Sequence, residues 1–378
     1  MKKTKSEIQI MISGYYGFKN TGDEAILSSI VKNIRAKNNR IKMIVLSENP
    51  SETSSTYLVK SIHRMQWLQI LKCLFETDIF ISGGGGLLQD STGWGLSILY
   101  YLGLIALAKT FRIPVIIYAQ GIGPVKGIFN KLMIKWILNN IDLLSVRDNQ
   151  SSELLKNMGI KKPIIHSNAD PSFLLVKADL EDILERNPSL NKFIAGYHQP
   201  LIGISVRNCK GQSDKLKRNI AQIADFLIEE YNAKIIFIPF HVRKDELISK
   251  EIIELINMKE ESYFLKDEYS PEEVLAIISR LTLVLGVRLH SLMFSCLMNI
   301  PFIAVNYDPK VENFVKNLEL DDLLTDSDDL SLKNVQKKVE YIMENYEQIK
   351  NLLIKKDKTL KEKASSNNNL LFDFLNRM

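Results

Sequence analysis

At 378 residues the chain exceeds what one hydrophobic core usually spans, so two domains of roughly 150 to 190 residues are expected. Apolar residues make up 46% and charged residues 25%, which excludes a disordered chain and leaves material for buried sheets. The net charge of +5 suits anionic small molecules or an anionic membrane surface, and without a dense Lys/Arg block with interleaved aromatics it does not point to nucleic acid.

The chain opens MKKTKSEIQIMISG, where a short apolar run meets a Gly-rich turn, so the segment reads as a first strand and not as a signal peptide. Strand-length apolar runs follow at 8–13, 41–47, 78–82, 114–118 and 142–146, alternating with helix-length segments at 23–37, 66–75, 94–111 and 128–140. That rhythm predicts an α/β fold, a parallel sheet covered by helices. Segment 48–56, ENPSETSST, is expected to be a polar surface loop. The most apolar stretch, 96–108, is too short to span a bilayer and reads as a buried helix.

Residues 171–198, punctuated by Pro171, Asn187, Pro188 and Gly196, read as a linker or hinge with one short acidic helix at 178–186. A second series then repeats the first, with strands near 201–206, 234–238, 281–285 and 301–305 and helices near 214–230, 244–256, 271–279 and 289–298. From 329 onward the pattern is helical and rich in lysine. The expected domains are therefore 1–172, a linker at 173–198, 199–328, and carboxyl-terminal helices over 329–378. Cys73, Cys209 and Cys296 lie far apart and are odd in number, so neither a disulfide framework nor a metal cluster follows, and a reducing cytoplasm fits best.

The residues that carry chemistry cluster after the predicted strands. GYYGFKNTGDEAIL (14–27) brings Gly14, Gly17 and Gly22 for tight turns, with Asn20 and Asp23 where a helix opens, and its backbone amides can cradle an anion or a sugar hydroxyl. Its glycine spacing is not that of a dinucleotide fingerprint. In SGGGGLLQDS, Gly83, Gly84, Gly85 and Gly86 would be poor packing residues, so close approach of a ligand to the backbone is the expectation. Asp90 just beyond can orient an incoming hydroxyl or cap a helix beginning near Trp94.

AQGIGP (119–124) and SVRD (145–148) deliver Gly121, Gly123 and Arg147 to the carboxyl edge of the first sheet. Arg147 is a candidate substrate contact, with an ion pair to Asp148 or Asp170 as the competing reading. In the second half Arg207 follows a strand in ISVR, GVRLHS sets Arg288 and His290 on a turn into a helix, and NYDPKVE supplies Asp308 and Lys310 beside a helix start at Pro309. His63, His166, His198 and His241 are given structural roles, whereas the setting of His290 favours a functional one.

These blocks, GYYGFKNTGDEAIL, GGGGLLQD, AQGIGP, SVRD, ADPSF, IGISVR and GVRLHSLMFS, stand in the order of the polysaccharide pyruvyl transferases, and from residue 14 to about 312 the chain resembles that family, most of all its CsaB type. The resemblance implies two Rossmann-like domains facing one another across a cleft, a GT-B-like arrangement, with the acceptor on the first and phosphoenolpyruvate on the second. It implies a metal-independent enzyme with no cofactor, forming a 4,6-linked pyruvate ketal on N-acetylmannosamine of a lipid-linked cell-wall precursor. By the same resemblance Arg147 and His290 are the catalytic pair, and Arg207, Arg288 and Lys310 hold the donor. The implied location is the cytoplasm, with peripheral contact at the inner membrane face, where the basic carboxyl-terminal helices offer either a tether or an ordinary solvated face. A glycosyltransferase using a nucleotide sugar is the main rival, since fold alone does not separate the two. A noncatalytic scaffold ranks below it.

Overall fold

The computed structural model describes residues 7–90, 96–195, 199–207, 213–266 and 268–378. His198, Gly196, Cys209 and Trp94, named above, lie outside them. Backbone contacts divide the chain into two units, Met1–Leu175 with Leu360–Met378, and Val176–Thr359.

The first unit is built on strands β1 (Gln9–Ser13), β2 (Lys42–Ser47), β3 (Lys60–His63), β4 (Ile79–Ser82), β5 (Gly85–Leu88), β6 (Val115–Ile122), β7 (Leu143–Val146) and β8 (Ile165–Ser167). They pair in parallel in the order β3-β2-β1-β4-β6-β7-β8, with β5 joined to β6 alone. Connecting helices are α1 (Thr21–Lys37), α2 (Pro50–Tyr57), α3 (Trp67–Leu74), α4 (Leu96–Thr110), α5 (Ile128–Leu138) and α6 (Asn149–Asn157). Side chains alternate across the pleat, so Ile10 and Ile12 join one core with Ile26 and Ile30 of α1. Met11 joins the opposite core with Ile70 of α3, Leu102 of α4 and Ile134 of α5. The expected buried helix is α4, and among the described residues no helix is long and apolar enough to cross a membrane.

The second unit opens with α7 (Leu180–Arg186) and α8 (Pro188–Ile194) and then runs β9 (Leu201–Ser205), α9 (Ser213–Tyr231), β10 (Lys234–Phe237), α10 (Val242–Leu255), β11 (Ser262–Phe264), α11 (Pro271–Ile278), β12 (Leu283–Gly286), α12 (Leu289–Leu297), β13 (Phe302–Asn306), α13 (Pro309–Asn317) and β14 (Leu324–Asp326). Its parallel sheet has the order β11-β10-β9-β12-β13-β14. Two helices follow, α14 (Leu332–Glu344) and α15 (Tyr346–Asn376). The final stretch of α15, 360–376, belongs to the first unit. There Leu371 and Leu375 enter the α1-side core, Asn368 accepts a 2.5 Å hydrogen bond from the Tyr118 hydroxyl, and Asn367 donates to the Ala169 carbonyl at 3.0 Å.

Two segments expected as irregular chain are helical. At 48–56 the Asn49 side-chain oxygen accepts from the Glu52 amide, Pro50 fills the first helical position, and α2 follows where a loop was expected. Asn187 and Pro188 start α8 in the same way, inside the stretch read as a linker. Asn-Pro here opens a helix by capping and does not break one.

Candidate active site

Both sheets have a switch point, where the strand order reverses and successive crossovers leave in opposite directions. In the first unit β1 lies between β2 and β4, and in the second β9 lies between β10 and β12. Ligands of doubly wound sheets bind outside the carboxyl ends of strands at such points. The candidate residues named from the sequence sort onto these two edges, each considered within its own unit.

In the first unit the loop after β1 carries Gly14 and Gly17 into α1, whose N-cap Asn20 accepts from the Gly22 amide at 3.2 Å. Gly17 sits at φ +78°, and a Cβ there would meet the Ser47 hydroxyl at 2.1 Å. Its amide donates at 2.7 Å to Glu24, which also accepts from the Tyr57 hydroxyl at 2.9 Å. Asp23 stands in the first turn of α1.

The inference that packing does not explain the four glycines is corrected by the structure. A Cβ on Gly83 would lie 2.3 Å from the Tyr16 hydroxyl, one on Gly84 3.0 Å from Ile26, and one on Gly85, at φ +80°, 2.7 Å from Asp23. Side chains of the same chain occupy this space, so three of the glycines serve internal packing, while Gly86 is half-buried. Around the same edge the hydroxyls of Ser13, Tyr16 and Ser82 and both amide atoms of Gln120 are buried without a protein hydrogen-bond partner. Such groups are a polar environment suited to water or to sugar hydroxyls.

Asp90 accepts hydrogen bonds from the Lys126 amide (2.8 Å), the Gly127 amide (2.8 Å) and the Asn130 side chain (3.1 Å). Those bonds, working against partial burial, hold its carboxyl below the usual range. It therefore ties down the entry to α5, a different helix from the one it was expected to cap. Arg147 is buried, donates to Asp170 at 3.2 Å and lies 3.6 Å from Asp148, so the ion pairs of the competing reading are both present. A Cβ on Gly121 would fall 2.5 Å from its Nε, so that glycine makes room for the guanidinium.

In the second unit Arg207 follows β9 and stacks 4.4 Å from the ring centroid of Tyr307, which follows β13. Arg288 follows β12, donates through Nε to Asp245 at 3.1 Å and pairs through Nη2 with its other oxygen. Asp245 is fully buried and also accepts from the amides of Phe240 (3.1 Å) and His241 (2.8 Å), so it fixes the entry to α10 and the Arg288 fork together. His290 lies half-buried in the first turn of α12. Asp308 caps α13 by accepting from the Lys310 amide at 3.0 Å.

Three residues of this edge escaped the sequence reading. His241, expected to be structural, is buried with neither ring nitrogen bonded to protein. Burial, then Lys244 and Arg288, push its pKa down to about 4, so the ring is neutral near pH 7. The Lys244 pKa is lowered by burial and by the charges of Arg288 and Arg207. Asp245 joins two segments 43 positions apart. One signal was available: Arg243 and Lys244 stand beside Asp245 in the first turn of α10, two cations to one carboxylate where the helix dipole disfavours cations.

Glu24 is a further titrating group beside the Gly17 loop. Burial, opposed by the Gly17 and Tyr57 hydrogen bonds, pushes its carboxyl up to about 7. A carboxyl raised on folding contributes stability that is complete below its ordinary value of 4.5 and is lost as the pH rises through 7. Glu24→Gln keeps an acceptor for Gly17 and removes the charge. The loss of unfolding free energy between pH 5 and pH 8 should shrink by about 2 kcal/mol in this variant, and parallel urea-unfolding curves for the two proteins would reject the assignment.

Two parallel-sheet units with cationic side chains at strand ends define the class by fold, a GT-B-like α/β protein. The profile of the polysaccharide pyruvyl transferase family matches residues 20–309, and the chain belongs to that family. The amylovoran biosynthesis protein AmsJ of Erwinia amylovora is 21% identical over 396 residues, covering 90% of this chain and 94% of AmsJ. Among solved structures, MnaA of S. aureus with UDP superposes with a TM-score of 0.68 at 11% identity, covering 98% of each chain. HepE of Anabaena in complex with UDP-glucose gives 0.63 at 11% identity, covering 98% of this chain and 100% of HepE. At these identities the two structures establish the fold alone. The family makes this chain an enzyme of polysaccharide synthesis that transfers a pyruvyl group from a donor to a saccharide acceptor.

Proposed function

We propose that the chain transfers pyruvate from phosphoenolpyruvate to two hydroxyls of N-acetylmannosamine in a lipid-linked secondary cell-wall polysaccharide precursor, as a 4,6-linked ketal. This is the CsaB-type reaction, and in it the ketal marks a wall polymer that anchors surface-layer proteins. The reaction belongs at the cytoplasmic face of the membrane, where the precursor is assembled. The observation that carries the reading is the group of Arg207, Lys244 and Arg288 with neutral His241 on the switch-point edge of the second unit. Phosphoenolpyruvate brings a carboxylate and a phosphate, and guanidinium forks bind both. Asp245 holds one of those forks in a single orientation.

In the mechanism His290 gives a proton to C3 of the enol while the first sugar hydroxyl adds to C2, and its proton returns to His290. The C2–O bond to phosphate then breaks, the second hydroxyl adds to C2 to close the ketal, and its proton leaves with phosphate. Lys310, at the start of α13, adds positive charge near the donor. Arg147, oriented by Asp170, stabilises charge that develops in the transition state. The buried hydroxyls of the first unit's edge, with Gly14, Asn20 and Asp23 beside them, support an acceptor site there.

The second reading, a glycosyltransferase using a nucleotide sugar, draws on the UDP and UDP-glucose held by the structures of similar fold. One experiment separates the two: phosphate release from phosphoenolpyruvate on adding a lipid-linked disaccharide containing N-acetylmannosamine, beside a panel of nucleotide sugars. Acceptor-dependent phosphate with a product carrying one pyruvate ketal is expected, and turnover of a nucleotide sugar alone would replace the proposal with its rival.

A further inference from the structure

The outer face of α5 is both apolar and open to solvent. Ile128, Phe129, Leu132 and Trp136 are 72%, 60%, 57% and 68% exposed, at spacings that line one side of a helix. The other side, with Ile134, Ile137 and Leu138, already enters the core, so the outer stripe is a second apolar face on the same helix. Exposed apolar surface of this density on a soluble domain marks an interaction site.

The stripe is wider than one helix. Trp67 and Leu68 of α3 are 41% and 77% exposed, and Trp67 packs edge-on against Tyr100 of α4, the helix that lies beside α5 in the same layer. Among the described residues, nine of the 17 exposed large hydrophobic side chains come from this layer, between Met65 and Trp136. That concentration argues for one surface and against scattered exposure.

Charge selects the partner. From Lys126 to Asn140 the chain carries Lys126, Lys131 and Lys135 and no acidic residue. Lys126 and Lys135 are exposed beside the apolar stripe. Two such faces from two copies would bring like charges together, whereas an anionic lipid surface accepts both parts: the apolar stripe enters the acyl boundary and the lysines reach phosphate groups. Trp136 has the ring type that collects at such boundaries. The lysines of α15 alternate instead with Glu347, Asp357, Glu362 and Asp373, and its exposed large apolar residue is Ile354 alone among those described. Asp90 keeps the ridge in place by clamping the turn that opens α5.

We infer that the outer face of α5, with α3 in the same helical layer, docks the first unit on an anionic lipid surface, lying in the interface without crossing it. This goes beyond the transfer reaction and needs neither its donor nor its acceptor.

The test uses the full chain and vesicles of phosphatidylcholine with and without phosphatidylglycerol, read by co-sedimentation. Binding to the phosphatidylglycerol vesicles is expected, and Ile128→Ser/Phe129→Ser/Trp136→Ser should lower the bound fraction about tenfold at equal lipid. Lys126→Glu/Lys135→Glu should lower it on anionic vesicles without changing the thermal midpoint, because both positions are on the surface. Equal sedimentation of the parent and the triple serine variant, or a parent that binds neither vesicle, would overturn the inference. So would light scattering that finds a parent dimer split by the triple variant, since the face would then join two copies. Activity of the triple variant on a water-soluble acceptor should equal the parent's, which keeps failure of lipid docking distinct from failure of the transfer chemistry.

Discussion

His290→Ala is expected to lower kcat by about 10²- to 10⁴-fold, the usual contribution of a positioned proton donor, while phosphoenolpyruvate binding measured by titration calorimetry changes little. Arg207→Ala should do the reverse. Removing one charged hydrogen-bonding group from the donor lowers affinity by about ten- to a hundredfold and leaves the saturated rate nearer the parent's. The contrast follows from where the two side chains stand. His290 lies on the turn that enters α12, and Arg207 stacks on Tyr307 at the end of β9. A His290→Ala enzyme with parental kcat would end the proposed proton transfer, whatever its effect on affinity.

Asp245→Ala should damage both the fold and the site. The carboxylate is fully buried and has four partners: both nitrogens of the Arg288 fork and the amides of Phe240 and His241. Removing one member of a buried ion pair leaves the other uncompensated, at about 3–5 kcal/mol. The urea midpoint should fall accordingly, and donor affinity should fall with it because Arg288 loses its orientation. Asp245→Asn, which keeps acceptors for the amides, should recover part of the stability but less of the affinity. If Asp245→Ala unfolds at the parent's midpoint, the pair is not the strut described here.

Long elements were legible because their patterns are long. β6 is buried throughout, and its first part stood out as the apolar run 114–118, as did β1, β2 and β4, although the strand continues through Gln120 and Gly121 to Ile122. The strands that escaped are only three or four residues long, KSIH in β3, GGLL in β5, IHS in β8, SYF in β11 and LTD in β14, and their pairing is decided by neighbours already in the sheet. Asn49-Pro50 and Asn187-Pro188 carry a breaker composition but act through cap geometry.

For the site, position at a strand end is enough to group Arg207, Arg288 and His290 on one edge. Reading which of these has a partner needs distances across the chain. The Arg288 clamp comes from a residue 43 positions earlier, and Arg147 is held by an aspartate 23 positions later that was only one of two options. The glycines misled for a related reason: what fills the space beside Gly83 and Gly85 is Tyr16 and Asp23, roughly 60 to 70 residues upstream, a proximity that only the parallel pairing of β1 with β4 creates.

The closing stretch of α15 sets an order on biosynthesis. Leu371 and Leu375 complete the core between β1 and α1, and Asn368 supplies the partner of the buried Tyr118 hydroxyl. A ribosome makes these residues only after the whole of Val176–Thr359. The amino-terminal unit is therefore left with an open core wall while the second unit emerges with all of its own residues, reversing the usual succession in which the first domain translated is the first to finish folding.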